Sequence, residues 1–183
     1  MYRGFGQYGL LATDLKTFGD AFAKYFNVTQ NCGMGVGCGT KDTKGNYDGS
    51  GLTDNYDVNN SNGYYTFKTA DGMSILLYRY SNCTSNFSNN ATGDLANVCV
   101  GLGLDVNGNT KGPNFHGRDI FPIFITNGKN GLKLYPQGGI DSNGDTWGEG
   151  KYWNGSTKSC YSGNKYGKSC AGRIIEEGWQ MNY

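Results

Sequence analysis

The segment 141–149 carries residue types suited to binding a metal ion. Three carboxylates and one amide recur there at short spacings, on Asp141, Asn143, Asp145 and Glu149. Oxygen ligands on a flexible loop are what Ca²⁺ prefers, so the segment is a candidate calcium site and calcium the candidate cofactor. The glycine that calcium loops have at their sixth position is missing, and a solvated turn is the alternative.

A second alternation of oxygen-bearing side chains runs through Asp105, Asn107 and Asn109. Thr110 and His116 occupy the positions at which a calcium loop has its glycine and its bidentate glutamate. We therefore interpret Asn107-Gly108 as turn-forming residues, with Asp105 and Asp119 accepting turn or backbone hydrogen bonds.

His116 is the only histidine of the chain, so a serine–histidine or cysteine–histidine mechanism would have to use it. It lies between Phe115 and Gly117, and no nucleophile-elbow motif lies nearby. The sequence therefore predicts a surface or turn histidine and a protein that is not an enzyme. Catalysis through His116 is kept as a further hypothesis.

Aromatic residues late in the chain could stack on sugar rings. Trp147, Tyr152 and Trp153 lie close together in sequence, and such side chains combine a large apolar surface with a polar handle. Trp147 and Trp153 are therefore candidate glycan contacts, which makes a secreted carbohydrate-binding or adhesive β-rich module an alternative function. Loop aromatics that only cover the sheet would explain the same residues.

The six cysteines fall into local pairs, namely Cys32 with Cys38, Cys83 with Cys99, and Cys160 with Cys170. No Cys-x2-Cys pair occurs, and the single histidine is remote in sequence from each pair. We predict disulfides rather than a metal site or buried free thiols, although six cysteines permit other connectivities. Disulfides indicate an oxidising compartment.

Length and composition predict one domain, 1–183, that is rich in β-structure and turns. The 183 residues can bury a core, and 31 glycines beside 3 prolines favour turn-rich connections. Sixteen basic and 15 acidic residues nearly cancel, so no global charge attracts nucleic acid. The chain lacks both an apolar run of ~20 residues and a signal peptide, so we expect it to be the exported part of a longer protein.

One long helix is predicted from Leu10 to Phe26. Apolar residues recur there every three or four positions and share one helical face, at Leu11, Leu15, Phe18, Phe22 and Tyr25. Residues 27–63 are predicted as a long loop from helix to sheet. Residues 64–135 should form the sheet, with strands at Tyr64–Lys68, Met73–Tyr80, Val98–Asp105, Ile120–Thr126 and Leu132–Tyr135.

The strand Val98–Asp105 indicates how the sheet is covered. Val98, Val100, Leu102 and Leu104 alternate with small or polar residues, which gives one apolar face. The predicted fold is therefore α+β, with the amphipathic helix packed on a four- or five-stranded antiparallel sheet. Residues 136–183 form a C-terminal loop region with a short helix from about Cys170 to Glu177, anchored by Ile174 and Ile175 and stopped by Gly178.

Two segments carry a resemblance to a known family. Asp105-Val-Asn-Gly108, Gly112-Pro-Asn114 and Gly117-Arg-Asp-Ile-Phe121 resemble the strand–turn–strand segment of type IV pilin-like proteins, including type II secretion pseudopilins. The ending from Cys170 through Gly178-Trp179 to Tyr183 is similar to a frequent C-terminal pattern of that family. In layout the resemblance extends over most of the chain, with residues 1–26 matching the second half of the N-terminal helix.

The resemblance implies a non-catalytic subunit, a minor pilin or pseudopilin, of a bacterial pilus or secretion filament. It implies partners among other pilin or pseudopilin subunits, a parent anchored in the inner membrane by an apolar N-terminal helix that is cleaved and methylated as a prepilin, and a periplasmic or extracellular location. Because polymerisation in that family needs the apolar helix, we expect this chain to be monomeric in solution.

Overall fold

The computed structural model describes residues 14–58, 63–79, 83, 93–128, 131–139, 160, 165 and 167–181. Within them the fold is α+β, with two short helices, α1 (Leu15–Ala23) and α2 (Cys170–Glu176). The described strands are β1 (Val28–Gly33), β2 (Thr43–Lys44), β3 (Thr53–Asp54), β4 (Tyr65–Thr69), β5 (Ser74–Arg79), β6 (Val98–Asp105), β7 (Ile120–Gly128) and β8 (Gly131–Pro136). No helix of this part of the chain is long and apolar enough to cross a membrane.

The main sheet has six strands in the order β1-β4-β5-β6-β7-β8. All of its neighbouring pairs are antiparallel, so β4 to β8 form a meander. The five predicted strands are confirmed, with ends that shift by one or two residues. The prediction of four or five strands was wrong, because β1 adds a sixth.

The missed strand β1 lies inside the segment predicted as a loop. Its sequence Val-Thr-Gln-Asn-Cys-Gly has no alternation of apolar residues, and three of its six residues are exposed while none is fully buried. It is held at the sheet edge by pairing with β4, with irregular register between Val28 and Gly33. The same predicted loop also contains the small antiparallel sheet of β2 and β3.

Helix α1 begins at Asp14, whose carboxylate accepts the Thr17 backbone N–H at 2.7 Å. This is the usual way in which an aspartate satisfies a free N–H at a helix start. Of the predicted helix Leu10–Phe26, residues 15–23 are helical, and residues 10–13 lie outside the described part of the chain.

One face of the sheet, here called the helix-side face, carries large apolar residues beneath α1. Phe18 and Phe22 of the helix are buried there, in a cluster that includes Tyr65, Phe67, Ile75, Leu77, Val100 and Leu102. The ring centroids of Phe22 and Phe67 are 6.5 Å apart, in edge contact. Burying each such side chain stabilises a fold by about 1.5–3 kcal/mol.

Gly19 sets the distance between α1 and the sheet. A Cβ at this position would lie 2.3 Å from the Tyr65 ring, so only glycine allows this close approach. The Tyr65 hydroxyl donates to Asp20 at 2.7 Å and accepts from the Asn31 amide at 2.7 Å. One buried tyrosine thereby joins the helix, β4 and β1.

The opposite face of the sheet is here called the cleft face. It presents Tyr64, Ser74, Leu76, Tyr78, Gly103, Asp105, Ile120 and Pro122 toward one cavity. The predicted alternation of β6 fails at its start, where the register with β7 shifts between Val98 and Val100. Cys99 consequently joins the helix-side cluster, while Val98 packs with Leu95 and Phe124 in a separate cluster.

All three predicted disulfides are present, and the local pairing is confirmed. Cys32 bonds to Cys38, Cys83 to Cys99, and Cys160 to Cys170. The third bridge joins Cys160 to the first residue of α2.

The C-terminal helix is confirmed within one residue, but of its two predicted anchors Ile174 is only partly buried and Ile175 is exposed. Gly178 follows its end with φ of +73°, the left-handed conformation that favours glycine. Ile175, predicted to anchor the helix, is 42% exposed, whereas Ala171 and Gly172 are buried. A Cβ on Gly172 would lie 2.4 Å from the Gly138 backbone, so α2 is seated through its smallest residues.

Candidate functional site: a tyrosine-lined cleft

A cleft of about 290 Å³ lies over β5 and β6 on the cleft face of the sheet. Side chains of these strands form its floor. Its walls come from four separate stretches, the segment 38–40, the segment 54–56, the turn that contains His116, and the C-terminal residues Gln137 and Lys168. The cleft therefore depends on the long loop and on the C-terminal region as much as on the sheet.

Two glycines of β6 let side chains of β5 lie against the β6 backbone on the cleft face. In the sheet register, Gly101 is opposite Tyr78 and Gly103 is opposite Leu76. A Cβ on Gly101 would lie 2.0 Å from the Tyr78 ring, and one on Gly103 would lie 3.2 Å from Leu76. The Tyr78 ring thus lies directly against the β6 backbone, which a larger residue at 101 would prevent.

Four aromatic rings contact each other in series along one wall of the cleft. The centroids of Tyr64 and Tyr78 are 6.2 Å apart, those of Tyr56 and Tyr64 are 5.4 Å apart, and those of Tyr56 and His116 are 6.1 Å apart. All three contacts are edge-to-face, the geometry that the charge distribution of aromatic rings favours. The rings of the three tyrosines are only partly buried, so they reach the cleft opening.

His116 lies deep in the wall and is 3% exposed. Its Nε2 is 3.2 Å from the Tyr56 hydroxyl, which is also 3.2 Å from a carboxylate oxygen of Asp54. Burial lowers the pKa of His116 to about 3, and the nearby Lys168 charge acts in the same direction. The imidazole is therefore neutral at physiological pH.

Nδ1 of His116 is buried and makes no hydrogen bond of ordinary geometry with the described residues. A neighbouring carbonyl, that of Ile120, acts to raise the pKa of the imidazole, but burial outweighs it. Among the described residues, the hydrogen-bond partner of His116 Nε2 is the Tyr56 hydroxyl, and not a serine, threonine or cysteine that could act as a nucleophile. His116 lies in a turn, one of the two predicted positions, and it is buried rather than at the surface.

An ion pair lies at the rim of the cleft. Lys168 Nζ is 3.0 Å from a carboxylate oxygen of Asp54, and both side chains are partly exposed. The same carboxylate accepts the hydroxyl of Tyr56, and burial raises the pKa of that phenol above its usual range. The rim thus offers an ammonium donor and carboxylate and phenol oxygens within a small area.

The end of the cleft nearest the 105–119 turn is formed by Asp105. Its two oxygens accept from the Thr40 hydroxyl at 2.5 Å and from the Gly108 N–H at 2.9 Å. Burial raises the pKa of Asp105, while the Thr40 hydrogen bond opposes that shift. Asp105 thereby fixes the segment 38–40 over the sheet.

The residues of the 105–119 turn behave as the sequence predicted. Asp119 accepts the backbone N–H groups of Asn114 at 2.8 Å and Phe115 at 2.7 Å. Asn109 donates its amide to the carbonyls of Gly37 at 3.1 Å and Gly39 at 3.2 Å. These contacts form a hydrogen-bonded turn that attaches β6 and β7 to the long loop.

The other predicted site residues lie outside the described part of the chain. These are the candidate calcium ligands Asp141, Asn143, Asp145 and Glu149, and the candidate glycan contacts Trp147 and Trp153. Among the residues that the structure describes, no group of three or more histidine, cysteine, aspartate or glutamate side chains could hold a metal ion.

Family models, curated proteins and solved structures give no match to this chain. Function must therefore be inferred from the residues themselves.

The tyrosines of the cleft were missed by sequence reasoning. Tyr78 belongs to a predicted strand and Tyr64 to the start of another, but nothing local showed that they share a face with Gly101 and Gly103. The small face of β6 was the available signal, since glycines in a strand indicate a close approach by another group.

Proposed function

We propose that this chain is a non-catalytic structural subunit, a minor pilin or pseudopilin, of a bacterial type IV pilus or type II secretion-like filament. The observation that carries the proposal is the order and packing of its elements. An amphipathic helix precedes an antiparallel meander, and its aromatic residues Phe18 and Phe22 are buried against the sheet. This is the arrangement that the resemblance implies.

The opposite side of α1 supports a role in subunit contacts. Lys16, Lys24 and Tyr25 lie on or next to the helix away from the core, and Tyr25 is 64% exposed. A large exposed aromatic beside charged groups is a composition that suits protein–protein contacts. We infer that this surface meets neighbouring pilin or pseudopilin subunits, during assembly at the inner membrane and then in the filament.

The segment 105–121, which carries the resemblance to pilin-like proteins, has a structural role that is consistent with an assembly subunit. Asp105 and Asn109 connect the β6–β7 turn to the long loop, and Asp119 holds the turn itself by accepting backbone N–H groups within it. The three disulfides favour an oxidising compartment, in agreement with a periplasmic or extracellular location. In a non-catalytic subunit, the aspartates and asparagines of this segment would serve folding rather than catalysis.

The proposal is tested on filaments sheared from the surface of cells that express the protein. Antibodies against the chain should label the filaments in electron micrographs, and deletion of the gene should remove the label. Light scattering on the isolated chain should give a monomer. Label confined to the cell interior, or a stable large oligomer in solution, would contradict an assembly role.

A charge reversal locates the contact surface. Lys24→Glu, beside the exposed end of α1, should reduce the amount of filament, because it changes the sign of a charge in the proposed interface. Lys111→Glu is the matched control, an exposed lysine in the β6–β7 turn. Equal filament yields from both variants would exclude this side of the helix as the interface.

A further inference from the structure

The tyrosine-lined cleft has the construction of a small-molecule site. Its volume of about 290 Å³ is close to the lower end of the range for ligand pockets, about 300 Å³. Such pockets combine aromatic walls with a few convergent polar groups. Here the partly exposed rings of Tyr56, Tyr64 and Tyr78 supply the walls.

The charges around the cleft are balanced. Lys168 is paired with Asp54, and His116 is neutral because burial holds its pKa low. Asp105 uses its oxygens for Thr40 and Gly108. An anionic ligand would find no cation in the cleft that lacks a carboxylate partner. A cationic ligand would meet the positive charge of Lys168 next to the Asp54 carboxylate. An uncharged ligand therefore fits the electrostatics of the cleft best.

The polar groups match a molecule that both donates and accepts hydrogen bonds at short intervals. Lys168 can only donate, the Asp54 carboxylate can only accept, and the Tyr56 hydroxyl can do either. A hydroxyl group can pair with each of these. The apolar faces of the neighbouring tyrosine rings suit the carbon side of the same molecule.

We propose that the tyrosine-lined cleft binds one small, uncharged, polyhydroxylated molecule of monosaccharide size, with ring contacts to Tyr64 and Tyr78 and hydrogen bonds to Asp54, Tyr56 and Lys168. This activity goes beyond the proposed assembly function and does not depend on it. It also places sugar recognition on the sheet and its covering loops, rather than at Trp147 and Trp153.

His116 provides a reporter at the site itself. As the only histidine, it gives a single imidazole Cε1–H signal in a ¹H–¹³C correlation spectrum, and its ring contacts Tyr56 in the cleft wall. The isolated chain, with its disulfides intact, is titrated with glucose, galactose, mannose and N-acetylglucosamine. Glucose 6-phosphate and glucuronate are the charged comparators.

At least one neutral sugar should shift the His116 signal in a saturable manner. Lys168→Met should weaken that binding about tenfold, as expected when one charged hydrogen bond is lost. Lys165→Met is the matched control, because it removes an ion pair with Asp48 of similar length, 2.8 Å, whose residues do not line the cleft. Urea unfolding of both variants confirms that they are folded.

Three results would overturn the proposal. The first is that no neutral sugar shifts the His116 signal in the millimolar range. The second is binding that Lys168→Met leaves unchanged, which would place the sugar elsewhere. The third is tighter binding of a charged comparator than of every neutral sugar, which would exclude an uncharged ligand. Each is measured on the isolated chain, so failure here leaves the filament experiment unaffected.

Discussion

The two faces of the six-stranded sheet are built in opposite ways. The helix-side face is filled with large apolar side chains beneath α1, as illustrated by Phe67, which is fully buried. On the cleft face, Gly103 lines the cavity and Gly101 lies under the Tyr78 ring, with tyrosines, a buried histidine and a buried aspartate around the cavity. One face therefore stabilises the fold by close packing, while the other keeps space and polar groups that packing alone would not require.

The largest expected effect lies on the helix-side face. Phe67→Ala should reduce the free energy of unfolding by about 3–5 kcal/mol, because it removes a buried ring and leaves a cavity. Urea unfolding followed by tryptophan or tyrosine fluorescence measures the change. Leu52→Ala, at a side chain that is 85% exposed, is the control and should have little effect. Similar losses of stability in both variants would contradict the buried position of Phe67 and the exposed position of Leu52.

The cleft face should respond to added rather than removed volume. Gly101→Ala should cost about 1–3 kcal/mol, because the new Cβ overlaps the Tyr78 ring. Gly45→Ala is the control, since a Cβ there meets its nearest neighbour at 3.5 Å.

A second substitution tests the origin of the Gly101 effect. Combining Gly101→Ala with Tyr78→Ala should cost less than the sum of the two single changes, because the overlap is gone. Strict additivity would mean that the Tyr78 ring does not lie on Gly101.

The buried histidine makes the cleft face sensitive to acid. His116 has a pKa of about 3 when folded and about 6.5 when unfolded, so below pH 6.5 the unfolded chain binds a proton that the folded chain does not. The contribution of His116 to stability is complete above pH 6.5 and falls as the pH decreases toward 3. At pH 5 the loss should be about 2 kcal/mol.

The variant His116→Gln separates the loss of stability that is due to His116 from the loss that is due to the carboxylates. The stability difference between pH 8 and pH 5 should be about 2 kcal/mol larger for the natural chain than for the variant. Asp105, whose pKa is raised by burial, acts in the opposite direction, but it is present in both proteins. Equal pH dependence in the two would indicate that the imidazole is accessible to protons in the folded state.

The smallest effect is expected at the exposed side of α1. Lys16 forms an ion pair with Asp20 at 2.6 Å, but both side chains are well exposed. Pairs of this kind contribute little, so Lys16→Met should leave the midpoint of urea unfolding unchanged within error. A clear decrease would show that charge, and not only the apolar contacts of Phe18 and Phe22, holds the helix in place.

Sequence predicted those parts of the fold that depend on local patterns. Five strands, the C-terminal helix and three disulfides follow from short-range alternation, turn residues and cysteine spacing. Strand β1 was not predicted, because Thr29, Gln30 and Asn31 form a polar sequence that is typical of a loop. Only the pairing with β4 makes this segment a strand. Tertiary context decides strand formation in such cases.

The candidate site could not be predicted because its residues are distant in sequence. Tyr56 comes from the long loop, Tyr78 from β5, His116 from a turn and Lys168 from the C-terminal region. The small face of β6 at Gly101 was recognised, but the group that lies against it was not predicted. Its partner could be identified only from the register of β5 against β6.

The strand order has a consequence for the order of events in folding. Strands β4 to β8 pair with their neighbours in the chain, whereas β1 must find β4 across the long loop, from Val28 to Thr69. Local pairings form faster than distant ones. We therefore expect the meander to form first, and β1, with the loop that walls the cleft, to join it afterwards. In hydrogen exchange, the amides of β1 should then acquire protection later than those of β6.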